Sequence, residues 1–245
     1  MLRLLAALLL SLPLPLVASE LVVFLPGATS QIGMQRALES DPACAGLTIT
    51  VVPKWRALED ALVRKPAMVL APATFALVPG WRAELQATVA GSDRFRYLLV
   101  AANASLTLAQ LHEPTVGMLH EVPRESAEGF LAALFPGLAP GHVRLAAKVD
   151  DVPNLLGLEL ARVCVLTPAM LAGAHARLAD SLQTLARSRP VWQPMLYVHG
   201  GEPADTGRVL VGLAPVTLAA LGFERLVARD PALPMGWQAP EEVAP

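Results

Sequence analysis

The sequence predicts an α/β fold built from two successive β-α-β-α-β blocks, near residues 20–92 and 94–190. Three observations lead there. Short runs rich in Val, Ile and Leu alternate with helically spaced apolar residues, the pattern of mostly parallel sheets with crossover helices. The alternation restarts after residue 94, so the two blocks divide the chain into units of ordinary domain size. Of 245 residues, 54% are hydrophobic and 16% charged, as strands buried on both faces by helices require. That composition excludes a disordered chain. Nineteen basic against twenty-one acidic residues leave a net charge of −2. No general positive field is available, so nucleic acid is not an expected partner.

The first nineteen residues stand apart. Met1-Leu2-Arg3 is a short positive start, Leu4 to Leu12 is apolar but for Ser11, and Pro13 and Pro15 follow. Val17-Ala18-Ser19 then offers small residues where a signal peptidase reads. This is the plan of a secretory signal peptide over residues 1–19. The apolar run is shorter than the ~20 residues of a membrane-spanning helix. No Cys lies near the cleavage point for a lipid anchor, and the mature chain is expected to be periplasmic or secreted.

Leu21 to Leu25 is the first strand, followed by the turn Pro26 to Ser30 and a helix that includes Ile32 and Arg36 to Leu38. Leu47 to Val52 is the second strand and ends at Pro53. Trp55, Leu58, Ala61 and Leu62 share one helix face at i, i+3, i+6 and i+7. Ala67 to Ala71 is a third strand closed by Pro72, and Thr74 is placed to start a short helix. Phe95 to Ala101 reads as one long strand. The second block then runs through strands at Thr115 to Leu119, His142 to Val149 and Ala161 to Leu166. Helices at Thr107 to Leu111, Ser126 to Phe135 and Asp151 to Leu158 alternate with them, and Thr167-Pro168 closes the last strand. A polar helix lies around 172–180, Leu182 to Ala186 and Met195 to His199 are returning strands, and helices near 204–213 and 216–221 precede a Pro-rich end.

Two cysteines remain. Cys44 lies in the turn-like Asp41 to Gly46 and Cys164 in the apolar Val163 to Leu166. An exported compartment permits a disulfide, while a buried Cys serves equally as a small hydrophobe; both readings stay open.

Gly27-Ala28-Thr29-Ser30-Gln31-Ile32-Gly33 looks like the nucleotide-binding turn of short-chain dehydrogenases. Ser30, however, stands where the backbone would approach a pyrophosphate, and Pro53-Lys54 where an acid would hold a ribose. No dinucleotide cofactor is expected. What remains is a small-residue turn at a helix N-terminus whose N–H groups suit an anion or polar ligand. The alternative is a plain helix cap by Thr29 or Ser30. There is no Gly-x-Ser-x-Gly elbow. His112, His120, His142, His175 and His199 form no i, i+4 pair of metal-ligand spacing, and His120-Glu121 is the nearest thing to a cluster. Neither enzyme chemistry nor a metal is expected.

Val52 to Leu62 followed by Ala67 to Thr74 resembles a segment of the phosphonate-type periplasmic substrate-binding proteins. Tyr97 to Val100, Ser105 to Leu111 and Thr115 to Gly117 are similar to that family's crossover into the second lobe. Pro123 to Gly129 matches its ligand-capping helix start, and Leu182 to Pro194 its return to the first lobe. The resemblance implies a two-lobed fold with a hinge, lobe 1 from 20–95 plus 190–245 and lobe 2 from 96–189. Trp55 would stack on or wall the ligand; its bland alternative is a helix-start aromatic packed on the sheet. Thr74 and Ser126 would donate from opposite lobes, with Thr29 and Ser30 beside them and Arg124 and Thr167 completing the ligand-binding set. Here Ala127-Glu128 follows Ser126 where the family offers adjacent hydroxyls, Thr167-Pro168 replaces an acid, and Trp55 replaces Tyr. The implied partners are a small polar or anionic solute, phosphonate- or phosphate-like, and an ABC permease, with the protein itself a monomer. The alternative is a stand-alone sensor or accessory protein with a degenerate cleft, acting through a protein partner.

Overall fold

The computed structural model describes residues 19–27, 30–102, 105–178, 182–203, 205–230, 232–233 and 236–239. The expected leader, save Ser19, and Thr29 lie outside them. From β1 (Glu20–Val23) the chain runs through α1 (Gln31–Glu39), β2 (Thr48–Val51), α2 (Trp55–Leu62), β3 (Met68–Ala71) and β4 (Trp81–Thr88). The short β5 (Arg94–Phe95) leads to β6 (Leu98–Ala101), β7 (Thr115–Leu119), α3 (Ala127–Leu134), β8 (His142–Ala146) and α4 (Asp151–Gly157). Then come β9 (Val163–Leu166), α5 (Pro168–Leu178), β10 (Gln183–Arg187), β11 (Val191–Trp192), β12 (Met195–His199), α6 (Pro215–Leu221) and β13 (Arg225–Ala228).

One sheet has the order β13-β4-β12-β3-β1-β2, a second β10-β6-β9-β7-β8, and β11 and β5 form a two-stranded ribbon of their own. The expected parallel strands are present: β1 pairs in parallel with β2 and β3, and β7 with β8 and β9. Antiparallel pairings are at least as many in each, so both sheets are mixed where mostly parallel ones were expected: strands that return from the other sheet enter antiparallel. β12 joins β3 to β4, β13 extends β4, and β6 lies between β9 and β10.

Alternation along the strands sorts the core into three layers. Leu21, Val23, Met68 and Leu70 face Met34 and Leu38 of α1 and Leu218 and Leu221 of α6. Leu98, Val100, Cys164 and Leu166 face Val152 and Leu156 of α4 and Met170 of α5. The opposite faces, Val22 and Val69 on one sheet and Val116 and Val163 on the other, belong to a single apolar cluster between the sheets. Cys44 and Cys164 are free and buried in the two different outer layers, which settles the cysteines as small hydrophobes.

Several features depart from the sequence reading, among them the unexpected β11 and a 3-10 turn, Thr206–Gly212, where a helix near 204–213 was expected. Phe95 to Ala101 is two strands, because the chain leaves one pairing for another at Arg96-Tyr97. β13 forms after α6 where no strand was expected. β4 was also not expected; its register with β12 shifts between Leu196 and Tyr197. Consequently Trp81 and Ala83 pack on the inter-sheet cluster, whereas Leu85 and Ala87 join the outer layer. Glu84, at this bulge, accepts from the backbone N–H of Asp205 and Gly207 at 3.2 and 2.8 Å and so fixes the loop beneath it.

Ser30 caps α1 by accepting from Gly33 N at 3.0 Å. Ser30→Ala is expected to cost about 1 kcal/mol, read as a lower urea midpoint with an unchanged slope.

Candidate functional site

The carboxyl ends of β1, β2 and β3 meet the carboxyl end of β7. Pro53 stops β2, Lys54 is extended, and Trp55 becomes the first residue of α2. Its indole lies edge-on to Phe24 at 5.8 Å and stacks on His120 at 5.9 Å, with 27° between the planes. The Trp55 Nε1 donates to Glu59 Oε1 one helical turn on, at 3.0 Å. Trp55 is only 3% exposed.

Thr74 stands second in a short 3-10 helix, Ala73–Leu77, that follows Pro72. Its hydroxyl donates to the Glu121 carbonyl at 2.6 Å, a bond from one sheet's strand end to the other's. The Glu121 carboxylate is buried and accepts from the Tyr97 hydroxyl at 2.5 Å. Burial pushes the Glu121 carboxyl up to about 7, against the opposing pull of the Tyr97 hydroxyl. Burial, and then the neighbouring Glu121, raise the Tyr97 phenol well above its ordinary range. His120 is half-buried; desolvation holds it below its ordinary value, Arg124 adds to this and Glu59 opposes it.

Tyr97 also marks the passage between the sheets. Its N–H donates to Ser188 Oγ and its carbonyl accepts from Ser188 N, both at 2.9 Å. Arg96 Nη1 donates to the Ser188 carbonyl at 2.7 Å. The outgoing and returning strands are thereby tied side by side where they cross.

Of the residues named from sequence, Trp55 and Thr74 sit in this contact. Arg124 is exposed and Ser126 partly buried on the 3-10 turn Arg124–Ser126 that leads into α3. The Ser126 hydroxyl makes no capping bond to α3. Ser30 and Thr167 cap the helices that follow them, Thr167 accepting from Met170 N at 3.2 Å. Sequence reasoning missed Phe24, Tyr97, His120 and Glu121 as site residues. His120-Glu121 follows β7 as Pro53 to Trp55 follows β2, and that equivalence of strand ends was the available signal. Tyr97 carried none, because its place depends on the crossing.

A cavity of about 490 Å³ opens elsewhere, lined by Thr115, Ala161 and Arg162 at the amino ends of β7 and β9. A smaller one of about 180 Å³ lies on the first sheet beside Trp81, Tyr197 and Arg229. Among the described residues, no three His, Cys, Asp or Glu side chains gather as metal ligands, and no helix is long and apolar enough to cross a membrane.

No family model matches the chain, and no curated protein matches it. Solved structures do. The binding protein of an ABC phosphonate transporter from Pseudomonas aeruginosa is 12% identical, with a TM-score of 0.64 over 87% of this chain and 82% of that one. PhnD1 from Prochlorococcus marinus, in complex with methylphosphonate, is 12% identical, with a TM-score of 0.60 over 87% and 93% of the two chains. A chloride-bound protein of Xanthomonas citri is 15% identical, with a TM-score of 0.65 over 87% and 92%. At such identities the likeness is one of fold. The chain has the α/β fold of periplasmic-binding-type proteins, as the sequence resemblance implied.

Proposed function

We propose that the chain is an exported solute-binding protein. In this reading, lobe 1 (residues 20–95 plus 190–245) and lobe 2 (96–189) close on a small polar or anionic solute without chemical turnover. The observation that carries it is the meeting of strand carboxyl ends across two sheets, with Trp55 against His120 and Thr74 bonded to Glu121. Ligands of open α/β sheets bind at such ends. The paired crossing at Tyr97 and Ser188 suits a hinge, where a few residues absorb the motion.

The phosphonate-bound neighbour supports a phosphonate- or phosphate-like ligand for this chain too, delivered to an ABC permease by a monomeric carrier. With a near-neutral chain, an anion must be held by local groups. Arg124 supplies the nearby charge, the Ser126 hydroxyl a donor, and the start of α1 at Ser30 exposed N–H groups. Thr167 stands after β9, the matching end on lobe 2.

A second reading is favoured by how full the contact is. Phe24, Trp55, Thr74, Tyr97 and Glu121 are all buried against one another. A sensor or accessory protein whose own side chains fill the cleft would work through a protein partner instead.

Calorimetry and tryptophan fluorescence of the mature chain with phosphate, methylphosphonate and other small oxyanions separate the two. Solute binding requires saturable heat and a signal lost in Trp55→Phe; silence toward the whole panel favours the filled cleft. Ser126→Ala is expected to weaken binding by about 1–3 kcal/mol. Unchanged affinity would remove Ser126 from the site.

A further inference from the structure

Glu121 is an acid in an unusual place. Its backbone carbonyl takes the hydroxyl of Thr74 from the opposite sheet, and its side chain takes the hydroxyl of Tyr97 on the crossing strand. Its neighbour His120 stacks on Trp55, again across the sheets. One dipeptide therefore joins both sheets and the passage between them. A carboxyl is a poor choice for a purely structural plug there, since an ionised carboxylate away from water is strongly disfavoured.

We propose that Glu121 is a proton-operated latch between the two lobes. With the carboxyl protonated the strand ends stay in contact; on losing the proton the carboxylate draws water in and the lobes part. This rests on the two-lobed reading above, and adds to it a control that needs no solute.

The sign follows from the two states. Buried in the contact, the carboxyl sits at about 7; in water it returns to its ordinary 4.5. Between those values the closed form holds a proton that the open form has lost, so raising the pH favours opening. If opening restores the ordinary value fully, the closing equilibrium falls about 300-fold across that window. Below 4.5 the latch adds no pH dependence, and above about 7 its effect is complete. The group that acts on Glu121 from the crossing is Tyr97, which stays neutral throughout the window because its own phenol is raised. His120 works in the opposite sense. Held below its ordinary value in the contact, it opposes closure as it gains a proton, with Arg124 reinforcing and Glu59 resisting that effect. A His120→Gln background removes this opposing titration.

The test is small-angle scattering of the solute-free mature chain from pH 4.5 to 8.5, in the wild type and in the His120→Gln background. The expected result is a radius of gyration that grows as the pH rises toward 7, more steeply in His120→Gln. Glu121→Gln in the His120→Gln background, which keeps an oxygen for Tyr97 but has no proton to lose, should stay compact throughout. Thr74→Val leaves the carboxyl intact and weakens the contact, so it should open at lower pH. This second variant serves if Glu121→Gln does not fold. A constant radius in His120→Gln overturns the latch, as does a Glu121→Gln, His120→Gln double variant that still opens as the pH rises, or a Thr74→Val profile identical to wild type. Saturable solute binding without any pH-dependent opening would sink the latch and leave the solute-binding reading standing. Opening that tracks Glu121 without any solute response would do the reverse.

Discussion

Gly117→Ala is expected to destabilise the protein by about 3 kcal/mol, the upper end of what one added methyl costs in a packed core. Gly117 lies in β7, between β8 and β9. A Cβ there would stand 2.7 Å from Cys164 Sγ, 2.8 Å from Leu155 Cδ1 and 3.3 Å from Ala161 Cβ. The Leu155 terminus can turn away, but the other two have little freedom. Ala161 has no rotamer to change, and the Cys164 thiol is held by its bond to the Val152 carbonyl at 3.1 Å. Three kcal/mol is a large part of the 5–15 kcal/mol typical of a folded protein. Urea unfolding followed by circular dichroism reads the loss. Adding Cys164→Gly to Gly117→Ala removes the nearest clash, so the double variant should lose less than the two single losses combined. Strict additivity would show that the strand shifts to make room and that the sulfur is not the obstacle.

Trp55→Ala is expected to cost about 3–5 kcal/mol, the range for truncating a buried Trp. The ring is 3% exposed and fills the space between Phe24 and His120, so its removal leaves a cavity at the meeting of the sheets. Trp55→Phe keeps an aromatic body there and loses the bond to Glu59, so most of the stability should survive. The pair of variants separates the two roles open for Trp55. Full stability in Trp55→Ala would mean that the ring is not part of the packed contact, leaving it free to wall a ligand.

Much of the architecture was legible in local sequence. β1 and β3 are near-continuous apolar runs because both of their faces are buried, and no residue of Leu21 to Val23 or Val69 to Ala71 has measurable exposure. The α2 face was readable from the spacing of Trp55, Leu58 and Ala61, all of which are buried. β4 was not readable. Its bulge at Glu84 moves the buried side from one face to the other, so no single period of two describes it. β13 is short, with all of its four residues but Leu226 exposed, and takes its strand conformation from pairing with β4.

The site divides in the same way. Trp55 and Thr74 could be named through the family resemblance, whose local segments follow strand ends closed by Pro53 and Pro72. The pairing of Glu121 with Tyr97 could not, since 24 positions separate them in sequence and only the crossing brings them together. Ser30 drew notice for its place at a helix start and Thr167 through the family resemblance, and both hydroxyls are used in capping helices.

By itself, the sequence determined the alternating α/β plan, the two repeated blocks and the near-neutral charge, because periodicity and composition are properties of neighbouring residues. The tertiary structure decided which strand ends face one another, that both cysteines are free, and that an acid stands buried between the sheets. Those follow from contacts between distant segments, where burial rather than residue type sets what a side chain can do.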